Sequence, residues 1–515
     1  MNKELDLLAI DIANSGVEYV FGIPGSGVSY YLLDQLEKKG VQFILVHHEA
    51  SAALMAGGYA KTSGNIGISL SIKGPGLTNM IPGVAACRYE NLPVISISEC
   101  YGKQSPTSQA HKKIDQDDVL RAYVKTRESL VGNEDLLSKC ILVAKTEPPG
   151  PVHIELADID TNLFEGENSK PAGCIDEVVE AISRAKQPVL IVGSLATRKV
   201  WGNSINELAI PVFSTACAKG IFDETNKYSA GVYTGVGGEK SPEYGLLTQT
   251  DLIVSIGLRH SEVLKTQQFK CKSIQLDEVE EKYINGFNFD YLIDSNSYNY
   301  NKVIAALKNK NWGEELIAQR QEIVNAYFDT SYFLPASVYS FIESYFKGYA
   351  RIVLDTGDFC TVGEHVCNVR EHHLYLSSGQ GRYMGISLPL AIGASLADRS
   401  VPTVCYTGDG GIGMYIAELK VAKAMKLPLV VVLLTDGGFS SVKRVTDSNR
   451  FTSKGVIPAD SSWYGIVNGM GIDSQPVNCL RELGCMLEKW DKEGPIFIEA
   501  SFDEEAYSLM ALEIR

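Results

Sequence analysis

"TGDGGIGMYIAELKVAKAMKLPLVVVLLTDGGF", residues 407–439, is the stretch whose reading decides the fold. Its Gly408-Asp-Gly410-Gly-Ile-Gly413 run spells G-x-G-x-x-G. The run follows an apolar segment, Val401 to Tyr406, opens a helical pattern, and leads to a second apolar segment closed by Asp436. That order describes a strand, a glycine turn, a helix and a second strand, the unit that holds a pyrophosphate against backbone N–H groups and a helix N-terminus. Asp409 complicates this picture. A carboxylate a few ångströms from a diphosphate is repelled by roughly 1–4 kcal/mol per charge pair. The arrangement makes sense with a cation between them. Asp409 and Asp436 each end a predicted strand, so both reach the carboxyl edge of one sheet, and two hard oxygen ligands plus a diphosphate describe magnesium. Asp436 could instead be the ribose-binding acid of a nicotinamide site, although it lies farther on than the roughly 20 residues usual there. The motif alone leaves both readings open.

Outward from this stretch, Val- and Ile-rich runs alternate with helix-period segments along the whole chain. Examples are "YVFGIPG", "IGISLSI" and "LPVISIS", then "QPVLIVGS" and "DLIVSIGL", then "ARIVLDTG" and "PIFIEAS". Runs apolar on both faces and separated by helices predict buried parallel sheets. The polar stretch "EGENSKPAG" (165–173) reads as a linker. The charged, helical "LKNKNWGEELIAQRQEIVNAYFDTSYF" reads as a connection into a third unit near residue 330. The expectation is an α/β chain of three doubly wound parallel-sheet domains, at 1–165, 175–310 and 330–515.

The 515 residues allow several domains, and 45% apolar with 21% charged residues is a globular composition. A formal charge of −15 disfavours nucleic acid, which needs a cationic face. The 11 cysteines show no C-x-x-C pair and no zinc spacing, which suits buried, reduced thiols. The first residues carry acids inside their apolar stretch, unlike a signal peptide, and no apolar run approaches a membrane span. A cytoplasmic protein is expected.

Four ordered stretches carry a resemblance. "GDG" with "ELKVAKAMKLPLVVVLLTDGGF" resembles the magnesium–diphosphate motif of thiamine diphosphate (ThDP) enzymes. "FGIPGSGV" with "LVHHEASAALMAGGYAKTSG", and "IKGPGLTNMIPGVAACRYENLPVISIS", resemble their pyrimidine-binding domain. "SSGQGRYMGISLPLAIGASLA" resembles the acetolactate synthase branch. The resemblance implies a pyrimidine-binding domain at 1–165, a middle Rossmann-like domain at 175–310 and a diphosphate-binding domain at 330–515.

It also implies site residues. Asp409, Asp436 (where the family usually has Asn) and the carbonyl of Gly438 would hold magnesium. Glu49 would hydrogen-bond the aminopyrimidine ring, its proton affinity raised by Ala50, Ala52, Ala53 and Leu54 around it. Met384 matches the wedge between the two cofactor rings, although methionine is also common core filler. Gly408, Gly410, Gly411, Gly438 and Asp358 are candidate diphosphate contacts, and equally turn residues. On the substrate side stand Ser26, which also fits an ordinary turn, Lys73, which also fits a solvated loop, and His111, which also fits a surface position. Lys73 and Arg382 suggest an anionic or phosphorylated substrate. Many decarboxylating relatives carry Glu six residues past the second metal ligand; this chain has Val442.

The activity so implied is ThDP- and magnesium-dependent decarboxylation of a 2-oxo acid followed by carboligation to a second carbonyl. Simple decarboxylation to an aldehyde is the alternative; a non-catalytic ThDP-fold protein and a nicotinamide oxidoreductase are the others. Acetolactate synthases bind FAD in the middle domain through an Arg-Phe-Asp-Asp run. Here "GLRHSEVLKTQQF" (257–269) stands in its place, so a flavin-free domain is expected. The resemblance further implies a homodimer or homotetramer with sites between subunits, Glu49 from one and Asp409 from another.

Overall fold

The Val- and Ile-rich runs form parallel strands, and in the computed structural model these collect into three six-stranded sheets. The structure describes the chain apart from residues 1, 26, 90, 103–110, 131–134, 159–173, 200–202, 259–261, 263, 266–268, 278–286, 288, 329–330, 378, 380–381, 383, 440–441, 444–445, 448, 451–461 and 511–515. The expected linker at 165–173 lies outside the described residues.

The first sheet holds β1 (Tyr19–Ile23), β2 (Gln42–Leu45), β3 (Gly67–Ser71), β4 (Val94–Tyr101), β5 (Arg127–Ser129) and β6 (Val152–Asp158), in the order β2-β1-β3-β4-β6-β5. The second holds β7 (Pro188–Val192), β8 (Val212–Ser214), β9 (Ser229–Val232), β10 (Leu252–Ile256), β11 (Lys272–Asp277) and β12 (Tyr291–Asp294), in the order β12-β11-β10-β7-β8-β9. The third holds β13 (Arg351–Leu354), β14 (Tyr375–Ser377), β15 (Thr403–Thr407), β16 (Leu429–Thr435), β17 (Asp473–Val477) and β18 (Ile496–Ser501), in the order β14-β13-β15-β16-β18-β17.

The third sheet shows why its runs are apolar throughout. Val430, Val432 and Leu434 of β16 join one core cluster, while Leu429, Val431 and Leu433 join another. Successive side chains point to opposite faces, so both faces are covered. The charged connection forms a helix, Glu314–Tyr327, that places Ile317 in the middle core and Val324 in the third. Its Arg320 is buried, with Nε donating to the Ser241 carbonyl at 3.0 Å and Nη2 to that of Glu239. All 11 cysteines are free thiols, and Cys174 and Cys485 are exposed rather than buried. Among the described residues, no helix is long and apolar enough to cross a membrane.

Candidate active site

A cavity of about 310 Å³ lies where the carboxyl ends of the first and third sheets face each other. The segments after β1, β3, β13, β15 and β16 all border it, as expected for open α/β sheets. Glu49, His111 and Lys112 line it from one side; Asp358, Met384, Asp409 and Asp436 line it from the other.

Glu49 is the first residue of the helix Glu49–Ser63, whose start is capped by His48, with Nδ1 accepting from the Ala50 N–H at 3.1 Å. The carboxyl is 3% exposed, and burial pushes its pKa up to about 7. Asn79 donates to Oε2 at 3.1 Å, and it and the Lys112 charge pull the pKa part-way back. Of the expected apolar neighbours, Ala52 and Ala53 are fully buried. Leu54 is 48% exposed, whereas Gly76 approaches from the next helix, Pro75–Tyr89, so closely that a Cβ there would stand 3.3 Å from Oε1.

At the other end, Asp409 opens the helix Asp409–Tyr415 directly after β15, and Asp436 follows β16. β15 and β16 are adjacent, so the two carboxylates sit side by side. Thr435 Oγ1 donates to Oδ1 of Asp409 at 2.6 Å and to Oδ2 at 2.7 Å. Burial, assisted by the negative charges of Asp436 and Glu499, pushes Asp409 up to about 7. This crowded pair of acids, with the proton affinity of Asp409 raised, is a donor set that suits a divalent cation. Among the described residues no cluster of three or more His, Cys, Asp or Glu could hold a metal, so remaining ligands would come from carbonyls and the bound group.

The glycines of the motif answer to packing. A Cβ on Gly410 would stand 2.6 Å from Phe439 and 2.7 Å from the Met384 sulfur. One on Gly411 would stand 2.6 Å from Asp355 Oδ2, and one on Gly408 2.8 Å from Phe359. Asp355, which the motif reading missed, is fully buried and accepts from the Thr356 and Gly385 N–H groups and the Ser387 hydroxyl at 2.7–2.8 Å. It thereby fixes the turn that carries Met384. Asp358 is the first residue of the helix Asp358–Val366, so its backbone N–H, rather than its carboxylate, is suited to an anion. Met384 packs with Ile23, Val46 and Ala52 from the first domain and Met414 and Phe439 from the third.

The substrate-side candidates divide. His111 lines the cavity, and so does Lys112, which sequence reasoning missed. Gly74 (φ +65°) lets these two approach: a Cβ there would meet the Lys112 carbonyl oxygen at 2.2 Å. The Gly74 N–H is held by Gln116 Oε1 at 3.1 Å. Lys73 is turned away from the cavity. Its Nζ pairs with the buried Glu99 at 3.0 Å and lies over the Tyr101 ring. Glu99 is fixed in turn by the Ser29 hydroxyl at 2.6 Å and its N–H at 3.1 Å. Arg382 lines the cavity with its charge matched by Glu364 at 2.6 Å. Ser26 lies outside the described residues. Val442 does border the cavity.

Glu49 and Asp409 of this one chain border the same cavity. The two domains meet through the Met384 cluster and through His47, whose ring is edge-on to Trp463 at 5.8 Å.

Three family models match along the chain: the N-terminal thiamine pyrophosphate binding domain at residues 5–119, the central domain at 175–290 and the C-terminal binding domain at 355–500. The chain belongs to the thiamine pyrophosphate enzymes. Within that family it is similar to acetolactate synthase large subunits. That of Haemophilus influenzae is 27% identical over 86% of this chain and 83% of its own length. The Lactococcus lactis protein is 25% identical over 96% and 91%, and isozyme 1 of Escherichia coli is 25% identical over 96% and 93%. For a thiamine pyrophosphate enzyme, the buried Glu49 at one end of the cavity and the acidic pair at the other are chemically suited to the two ends of the cofactor.

Proposed function

We propose that this enzyme decarboxylates a 2-oxo acid and joins the remaining acyl unit to a second carbonyl compound. Its three family domains and its likeness to acetolactate synthases support that reading. The single observation that carries it is Glu49, buried with a pKa near 7 in the same cavity as Asp409 and Asp436. Magnesium would be held by Asp409, Asp436 and the Gly438 carbonyl. Gly408, Gly410, Gly411 and the N-terminus at Asp358 would leave room and N–H groups for the diphosphate, and Met384 would be the wedge between the two rings. Bound ThDP supplies the electron sink for the bond broken at the substrate carbonyl. Glu49 holds or gives up a proton at its carboxyl oxygen near neutral pH, as proton exchange with a heterocycle requires. Met384 and its apolar neighbours exclude water from one wall. Val442 offers no proton where many simple decarboxylases have an acid, which favours capture by a second carbonyl.

His111 and Lys112 line the cavity where an anionic or phosphorylated substrate would be met, and Ser26 is kept as a substrate-side candidate. We place the domain limits at 1–165, 175–310 and 330–515, and the assembly as a homodimer or homotetramer. The test is incubation of the ThDP–magnesium protein with a panel of 2-oxo acids, with and without aldehyde or 2-oxo acid acceptors. Carbon dioxide release with a coupled product supports carboligation. Free aldehyde as the sole product, even with acceptor present, assigns simple decarboxylation instead.

A further inference from the structure

Gln116 opens the short helix Gln116–Leu120, four residues beyond Lys112, and is buried without lining the cavity. A backbone N–H can only donate, so the atom that meets the Gly74 N–H is the amide oxygen of Gln116. The amide nitrogen is then the one turned to the Ser98 hydroxyl, to which it donates at 3.0 Å. The direction of the bonds beyond is set from the far end. The Ser96 hydroxyl donates to the Val152 carbonyl at 3.2 Å, so its oxygen accepts from Nδ1–H of His153 at 2.8 Å. Nε2 of His153 is therefore an acceptor, and the Ser98 hydroxyl donates to it at 3.1 Å. Ser96, Ser98 and His153 are all fully buried. One directed row of hydrogen bonds thus runs from the Gly74 turn through Gln116 into β4 and β6. Gln116 also hydrogen-bonds the side chain of Glu155 on β6. The Gly74 turn touches the cavity on two sides. It leads into the helix Pro75–Tyr89, whose Gly76 lies against Glu49 and whose Asn79 donates to Glu49 Oε2 at 3.1 Å. On the other side Gly74 packs directly on the Lys112 backbone carbonyl.

We propose that Gln116 is a positioning residue, tying the segment that carries His111 and Lys112 to the turn that brings Gly76 and Asn79 to Glu49. A primary amide suits this place because it offers an acceptor and two donors on adjacent atoms. An apolar side chain of the same length would leave the Gly74 N–H and the buried Ser98 hydroxyl each short of a partner. The proposal rests on the reading of the cavity as the active site and adds a residue outside its walls that holds its substrate side in register with Glu49.

The test uses the full-length protein saturated with ThDP and magnesium. Gln116→Met keeps the length of the side chain and removes its amide. Backbone hydrogen exchange, read by mass spectrometry, is expected to quicken about tenfold or more in residues 72–80 and 111–115 and to stay unchanged at 407–411. With the 2-oxo acid that wild type turns over fastest, kcat/KM well below the unfolding midpoint is expected to fall by about 10–100-fold, the order that a displacement of about 1 Å costs. In a Lys112→Ala background the same substitution is expected to cost about threefold less or smaller still, because the two changes then act on one contact. Unchanged exchange in both segments, or losses that simply multiply, overturn the proposal. So does an unfolding midpoint that drops while kcat/KM holds, the mark of a purely structural residue. If wild type turns over no 2-oxo acid, the reading of the cavity is what fails, and exchange by itself decides whether Gln116 ties the two segments. Should Gln116→Met not fold, Gln116→Asn takes its place, since an amide drawn back by one methylene cannot span Gly74 and Ser98 together.

Discussion

Glu49 shows how a single carboxyl acquires its property from burial. Replacing it by Gln keeps the shape and the Asn79 contact region while removing the exchangeable proton; kcat is expected to fall by about 10²–10⁴-fold with ThDP affinity, read by calorimetry, changed little. The same burial has a stability consequence. The folded pKa is about 7 against an ordinary 4.5, so the folded chain holds this proton more tightly than the unfolded one. The stability it contributes is present below the ordinary carboxyl range and is lost as pH rises through about 7. A shift of two to three units is worth on the order of 3 kcal/mol. Urea unfolding of cofactor-free protein between about pH 5 and about pH 8 should therefore fall more steeply for wild type than for Glu49→Gln; parallel curves would contradict the assignment. Glu49 was legible from its place in "HHEASAA", but the close approach of Gly76, which belongs to another helix, was not.

At the scale of elements, the turn after β15 and the turn after β16 act as one unit. Asp409→Ala leaves the Thr435 hydroxyl without its acceptors and the cation with one acid fewer. ThDP affinity in magnesium is expected to weaken by about 30-fold or more, equivalent to 2 kcal/mol or more, by tryptophan fluorescence titration. Chelator should weaken wild type in the same way, and added magnesium should restore wild type alone. The connecting helix makes a separate case. Arg320→Ala deprives the buried Ser241 carbonyl and the Glu239 carbonyl of a partner and removes the cation over the Tyr244 ring. Unfolding free energy should drop by about 1–3 kcal/mol while ThDP titration is unaltered. Strand legibility followed burial. Central runs such as "LPLVVVLLTD" are apolar on both faces and announced themselves. Five of the six edge strands did not: β5, β9, β12, β14 and β17 are short, and "RES" or "DSQPV" has no apolar run to find. An edge strand takes its conformation from the neighbour it pairs with.

For the whole molecule, the open matter is how the two halves of the cavity are supplied. The resemblance implies that Glu49 and Asp409 of one site come from different subunits, so mixed Glu49→Ala and Asp409→Ala proteins are expected to regain about a quarter of the sites after demonstrated subunit exchange. No return of activity despite demonstrated exchange would reject sharing of the site between subunits.

The sequence by itself determined three parallel α/β units and the two acidic strand tips. It also determined the buried-carboxylate candidate at Glu49. These depend on local order: apolar runs, turn glycines, and residues a fixed distance beyond a strand. Tertiary structure alone decided which charges are available. Lys73 and Arg382 were candidate anion contacts in the sequence, yet Glu99 and Glu364 pair with them from positions remote in the chain. Lys112, unremarked beside His111, reaches the cavity because Gly74 leaves it room. Charge acts through space, and the distance between two ionic groups is set by packing rather than by their separation along the chain.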